Sequence, residues 1–106
     1  MYNRQNAQQH CQDRNGSLAE IRNDAKYAEF QNIAMHVGMV WLRGAYNRTD
    51  ATYRWDSDGS VIDMYWAPGE PISEDGFRNC VVMTSFGIKA RRLYHSAGVA
   101  TICDFE

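Results

Sequence analysis

The stretch Trp66-Ala67-Pro68-Gly69-Glu70-Pro71 contains both prolines of the chain. Proline cannot donate a hydrogen bond to a strand ladder, and glycine accepts backbone angles that other residues avoid, so this stretch predicts a loop. Turn-forming residues continue as far as Asp75. Short runs typical of strands stand on both sides, Tyr53-Arg54-Trp55 before it and Cys80-Val81-Val82-Met83 after it. The sequence therefore predicts a long irregular loop between two strands.

Helical patterns occupy the first third of the chain. The spacing of Ala7 and Cys11 predicts a helix over about residues 3–14, ended by Asn15-Gly16 with the glycine in the left-handed cap conformation. A second helix is predicted over about residues 24–36, capped by Asn23 or Asp24. Its expected buried side carries Tyr27, Phe30, Ile33 and Ala34.

Strand patterns follow the helices. Beyond the two runs beside the loop, strands are predicted over Met39–Leu42 and Val99–Phe105, with a turn at Asp58-Gly59-Ser60. Two helices followed by several short strands predict an α+β fold. A chain of 106 residues has room for one core, so we expect a single domain over residues 1–106.

Composition excludes several functional classes. The net charge of −2 argues against a nucleic-acid partner, since domains that bind nucleic acids are usually strongly basic. No run approaches the roughly 18 apolar residues that a membrane span needs, so membrane insertion is not expected. Charge is nevertheless uneven, because residues 76–103 contain no acid but include Arg78, Lys89, Arg91 and Arg92. This basic segment is either a solvated surface or a site for an anion.

The three cysteines, Cys11, Cys80 and Cys103, match no zinc-binding spacing, so disulfide chemistry is the better interpretation. At most one bridge forms within the chain, and one thiol is left over. Two alternatives stay open for a leftover thiol, an intermolecular disulfide or a buried free cysteine.

Taken in order, these segments resemble the C-type lectin-like domain, and the resemblance covers nearly the whole chain. The matching pieces are Ala7, Cys11 and Gly16 with Leu18-Ala19-Glu20-Ile21; Trp41-Leu42; Tyr53-Arg54-Trp55 with Asp58-Gly59-Ser60; Trp66–Pro71; and Cys80-Val81 with Ile102-Cys103-Asp104. The resemblance implies two helices flanking two small antiparallel sheets, a long irregular loop that carries the site, and a disulfide between Cys11 and Cys103. It also implies a secreted or extracellular protein. The opening strand of the family is missing, which indicates a compact variant or a shortened chain.

The resemblance also identifies the positions of a calcium site, which in family members that bind sugar coordinates two hydroxyls of one ring. Calcium needs six to eight oxygen ligands. Glu70 keeps a ligand of the family, whereas Ile72, Arg78, Arg91 and Arg92 stand where the family places the other four. Missing oxygens and nearby cations both oppose calcium, so we expect no metal and no cofactor. The same alignment leaves Cys80 without its family partner, which makes a dimer through Cys80 one of its two alternatives.

The predicted function is that of a calcium-independent recognition module for an extracellular protein or an anionic glycan. The expected ligand-binding residues are Glu70, Ile72, Glu74, Arg78, Arg91 and Arg92. The alternative is a calcium-dependent lectin with rearranged ligands, in which Glu74 and Asp75 supply the missing oxygens. An enzyme is not expected, because the three histidines fall in no catalytic motif. The adjacent His10 and Cys11 point to different sides of the predicted helix, and the resemblance assigns Cys11 to the disulfide.

Overall fold

Helix α1 (Arg4–Gln12) opens the computed structural model, which describes residues 4–71, 79–91 and 99–105. Its buried residues are Ala7 and Cys11, which lie on one face because they are four positions apart. The helix ends in paired capping bonds, from the Asn15 amide to the Gln12 carbonyl at 3.1 Å and from the Gly16 amide to the Cys11 carbonyl at 2.9 Å. The left-handed residue is Asn15, at φ 62°. The expectation that Gly16 takes this conformation is wrong.

Gly16 is needed for a different reason. A Cβ atom at this position would stand 2.6 Å from the ring of Phe105, near the end of the chain. Asparagine tolerates the left-handed region better than most residues, which leaves the glycine available for this close approach. The end of α1 is thereby packed against the C-terminal segment.

Helix α2 (Asp24–Val37) is capped by Asn23, whose Oδ1 accepts a hydrogen bond from the Lys26 amide at 2.8 Å. Phe30 and Ala34 are buried, and Tyr27 and Ile33 pack partly buried against the same cluster. The predicted cap and the predicted buried side are both confirmed.

The strands form two sheets. In the large sheet the order is β3 (Thr52–Trp55), β2 (Met39–Asn47), β4 (Cys80–Thr84) and β5 (Gly87–Arg91), all antiparallel, with β6 (Val99–Ala100) paired in parallel to β2. The small sheet pairs β1 (Ser17–Leu18) with β7 (Cys103–Asp104). Two helices with antiparallel sheets confirm the predicted α+β fold.

The predicted strands differ from the structure in several respects, one of which is that β2 continues beyond the predicted end at Leu42 to Asn47. The stretch expected as one strand over Val99–Phe105 is split into β6 and β7, because these pair with different sheets and the chain changes partner between them. Strands β1 and β5 were not predicted. Strand β1 has only two residues, so its conformation is set by its partner rather than by a pattern of its own.

The core consists of two clusters on the two faces of the large sheet. Helix α2 packs with one, which includes Leu42, Trp55 and Met83, and α1 packs with the other, which includes Trp41 and Val82. In the second cluster a disulfide joins Cys11 to Cys103, with their Cα atoms 5.3 Å apart. The residues it joins are separated by 92 positions, and closing a loop of that length is worth about 4–5 kcal/mol in the chain-entropy estimate.

Cys80 is the free cysteine of the described residues and is only 3% exposed. Burial raises the pKa of its thiol. Both observations favour the buried free thiol over an intermolecular bridge. Across the described ranges, neither α1 nor α2 is long and apolar enough to cross a membrane.

Candidate functional site

The first half of the long loop docks along the outer edge of β5. The carbonyl of Tyr65 accepts a hydrogen bond from the Ile88 amide at 2.7 Å, and the Ala67 amide donates to the Ile88 carbonyl at 2.9 Å. Trp66 therefore forms a parallel bridge with Ile88. The loop adds a short strand-like segment to the sheet, and its following residues are positioned by β5.

This docking requires a glycine at position 87. Gly87 has φ 127°, and a Cβ atom there would meet the Tyr65 carbonyl oxygen at 2.7 Å and the Ala67 nitrogen at 2.8 Å. Real Cβ atoms do not approach backbone atoms so closely, so any side chain would push the loop away. Gly87 was not among the residues that the sequence singled out.

Aromatic residues at the start of the loop attach it to the rest of the domain. The Tyr65 hydroxyl donates to Oδ1 of Asp24 at 2.6 Å, and its ring stacks on Tyr27 with centroids 5.0 Å apart. The hydrogen bond to Asp24 raises the pKa of Tyr65. The indole of Trp66 donates to the Ile62 carbonyl at 2.9 Å, and its ring meets Tyr53 edge to face. The loop is thus anchored both to α2 and to the sheet.

Glu70 lies at the end of the docked segment. Its amide donates to the Ala67 carbonyl at 3.0 Å, and its Oε1 accepts a hydrogen bond from the backbone amide of Ala90 at 3.0 Å. The peptide bond between Glu70 and Pro71 is cis. Because the Ala90 amide belongs to β5, the carboxylate of Glu70 is held against the last residues of that strand.

Arg91 is the residue that follows Ala90 and is the last of β5, where it is paired with Cys80 in β4. The structure therefore brings two of the six predicted site residues, Glu70 and Arg91, to the same end of β5. Both are half-buried. The other four, Ile72, Glu74, Arg78 and Arg92, lie outside the described residues.

Solved structures of known proteins share this architecture. One is the cow carbohydrate-recognition domain of CD23, with a TM-score of 0.72 and 20% identity over 87% of this chain and 71% of that one. A calcium-independent type II antifreeze protein has a TM-score of 0.69 and 22% identity over 86% of this chain and 70% of that one. The calcium-independent C-type lectin SPL-2 from Saxidomus purpuratus has a TM-score of 0.69 and 15% identity over 84% of this chain and 68% of that one. At these identities the likeness concerns the fold.

Family membership rests on the sequence itself. The profile described as the Lectin C-type domain matches residues 1–103, so the chain belongs to the C-type lectin domain family. Domains of this family are in general binding rather than catalytic units and are typically extracellular or secreted.

The family implies a calcium ion at the long loop, and the residues present do not fit one. Of the five positions that would supply ligands, Glu70 alone has a carboxylate, and one of its oxygens already accepts the Ala90 amide. Arginines occupy three of the others, at positions 78, 91 and 92. Within the described ranges, no group of three or more His, Cys, Asp or Glu side chains is gathered as metal ligands would be. Calcium prefers several carboxylate and carbonyl oxygens and is repelled by cations.

Proposed function

We propose that this domain is an extracellular recognition module that binds a protein or an anionic glycan through the long-loop surface without calcium. The observation that carries the proposal is the hydrogen bond between Oε1 of Glu70 and the Ala90 amide. This bond gives the Glu70 carboxylate a partner within the protein. In this chain it stabilises the loop on β5, a structural task that needs no ion.

The charge of the surrounding segment supports an anionic ligand. Arg91 stands next to the amide that binds Glu70, and Lys89 lies two positions before it on the same strand. Residues 76–103 contain no acid, so this segment of the sequence is basic as a whole. Guanidinium groups suit sulfate and carboxylate oxygens, because their planar arrangement of N–H donors matches two acceptor oxygens at once.

The structural neighbours are consistent with a site of this kind. Two of them are named as calcium-independent, an antifreeze protein and a lectin. The C-type lectin fold is therefore compatible with function in the absence of calcium. What these proteins bind is not assigned to this chain, because sequence identities of 22% and 15% support a shared fold only.

Heparin binding with and without calcium tests the proposal. Binding of immobilised heparin should persist in EDTA, weaken as salt rises, and fall at least tenfold in the double variant R91Q/R92Q. Arg48, exposed in the turn between β2 and β3, supplies the control variant R48Q, which should bind like the wild type. Loss of binding in EDTA, or calorimetry showing micromolar calcium affinity, would instead establish the calcium-dependent lectin. Heparin binding that neither added salt nor the R91Q/R92Q substitutions weaken would exclude an anionic ligand for the loop site.

A further inference from the structure

A polar pocket of about 290 Å³ lies away from the long loop, between the small sheet, the start of α2 and the Asp58-Gly59-Ser60 turn. Its wall includes Ser17 and Asp104 from the small sheet, Asn23 and Lys26 from the start of α2, and Ser57 beside the turn. No residue of the Glu70 site contributes to it. Its volume is near the lower end of the roughly 300–1,000 Å³ that is usual for small-molecule sites.

Most charged groups in this pocket have a partner of opposite charge. Arg22 pairs with Glu20 at 2.9 Å and with Asp58 at 2.9 Å. Lys26 pairs with Asp104 at 3.2 Å, and this contact raises the pKa of Lys26.

Glu20 makes further contacts, since its two carboxylate oxygens accept the Ser57 hydroxyl at 2.7 Å and the Ser57 amide at 3.0 Å. The acids of the pocket are therefore already bound by cations and by N–H and O–H donors.

Arg43 is the exception. Its backbone is fixed on both sides, because its amide donates to the Ala19 carbonyl at 2.8 Å and its carbonyl accepts the Asp56 amide at 3.0 Å. Its side chain lines the pocket, yet its buried Nε has no hydrogen-bond partner, and its guanidinium makes no ion pair within the described part of the chain. A guanidinium that lines a pocket and has no anionic partner is the group with which an anionic ligand pairs.

We propose that this pocket binds a small hydroxylated monocarboxylate, chemically a sugar acid, whose carboxylate is held by the guanidinium of Arg43. The guanidinium fork matches the two oxygens of a carboxylate. Glu20 and Asp104 also line the pocket, and because a carboxylate has about four lone-pair sites, each keeps acceptor capacity for the ligand's hydroxyl groups beyond the contacts named above. Their negative charges also oppose a dianion, which is why the ligand carries a single charge.

Titration of the ¹⁵N-labelled protein with sodium glucuronate tests this assignment. Glucuronate should shift the amide resonances of Asn23 and Ser57, whereas glucose, which lacks the carboxylate, and inorganic sulfate, which lacks hydroxyl groups, should shift them at least tenfold less strongly. Absence of these shifts at millimolar glucuronate would overturn the proposal. Equal responses to glucuronate and glucose, or to glucuronate and sulfate, would overturn it as well.

Variants at Arg43 provide the second arm. R43Q should weaken glucuronate binding at least tenfold, and R43K, which keeps the charge but loses the fork, should bind with intermediate affinity. The exposed-arginine control R48Q should bind like the wild type. Because Asn23 and Ser57 line this pocket and do not belong to the loop site, their resonances report on this pocket alone. If the NMR spectrum of R43Q shows that this variant does not fold, the glucuronate affinity of R43K is compared with that of the wild type instead. Unchanged affinity in the folded Arg43 variants contradicts the assignment.

Discussion

Oε1 of Glu70 and the backbone amide of Ala90 are joined by a hydrogen bond of 3.0 Å, so this carboxylate, which the family resemblance predicts at a calcium-ligand position, attaches the loop to a strand. The bond links the end of the docked segment to β5 three residues beyond Gly87, where the docking begins. Strand β5 therefore both positions the loop, through the Ala90 amide, and carries the charged Arg91 of the candidate site.

Removing the Glu70 carboxylate should loosen this attachment. In the variant E70A the amide of the buried Ala90 loses its acceptor, and we expect the free energy of unfolding to fall by about 1–2 kcal/mol. The variant E70Q keeps an acceptor oxygen and should lose less. Urea denaturation measures both, and hydrogen exchange of the Ala90 amide should be faster in E70A. Equal losses in the two variants would show that the charge, and not the hydrogen bond, matters.

Gly87 should be more sensitive to substitution than a glycine in open space. In G87A the new Cβ meets the Tyr65 carbonyl at 2.7 Å on a backbone with φ 127°, so both a clash and strain result. We expect a loss of about 3 kcal/mol and faster hydrogen exchange of the Ala67 amide. Gly59 is the matched control, because it also has a positive φ, at 73°, while a Cβ atom there meets no described atom within 4 Å. The variant G59A should therefore lose only about 1 kcal/mol. Equal losses would exclude the clash.

Local patterns predicted most of the elements because their causes are local. The cap at Asn23 and the turn at Asp58-Gly59-Ser60 depend on neighbouring residues, and both are present. Strand β5 was missed although Ile88 and Ala90 alternate with Lys89 in the expected way. Alanine and lysine are poor strand formers, and this strand is stabilised by β4 on one side and the docked loop on the other.

The site was predictable in part. Sequence resemblance predicted Glu70 and Arg91 as ligand-binding residues, and that role stays a prediction; the structure shows that both lie at the end of β5. The partner of Glu70 could not be predicted, because it depends on the approach that Gly87 allows. Arg43 carried no signal at all, since a charged residue within a strand usually faces solvent. Its lack of a partner becomes visible only when the small sheet and α2 surround it.

Asp58 should make the stability of the domain sensitive to acid. Hydrogen bonds from the Arg22 guanidinium and the Ser60 hydroxyl hold the pKa of its carboxyl well below the ordinary value of 3.8. The folded protein thus binds fewer protons than the unfolded chain in this range, so the stabilisation is complete above the unfolded pKa and is lost as pH falls below about 3.8. Urea midpoints measured from pH 5 down to about 2.5 should decline less steeply in D58N than in the wild type. The control variant D63N removes an exposed carboxylate, and its urea midpoint should decline with pH as steeply as that of the wild type. An equally steep decline in D58N would refute the role of Asp58.

Cys80 should remain an unreactive free thiol in the native domain, and the protein should form no dimer through it. It is 3% exposed and lies in the same apolar cluster as Trp41 and Val82, and burial raises the pKa of its thiol, so little thiolate is present to attack a reagent or a second thiol. We expect iodoacetamide at pH 8 to modify Cys80 at least a hundredfold more slowly in the native protein than in urea, with the disulfide between Cys11 and Cys103 left intact in both. Non-reducing electrophoresis of the purified protein should give a single monomer band. A dimer band that disappears on reduction and is absent in C80A would show that the cluster opens and that the intermolecular bridge forms after all.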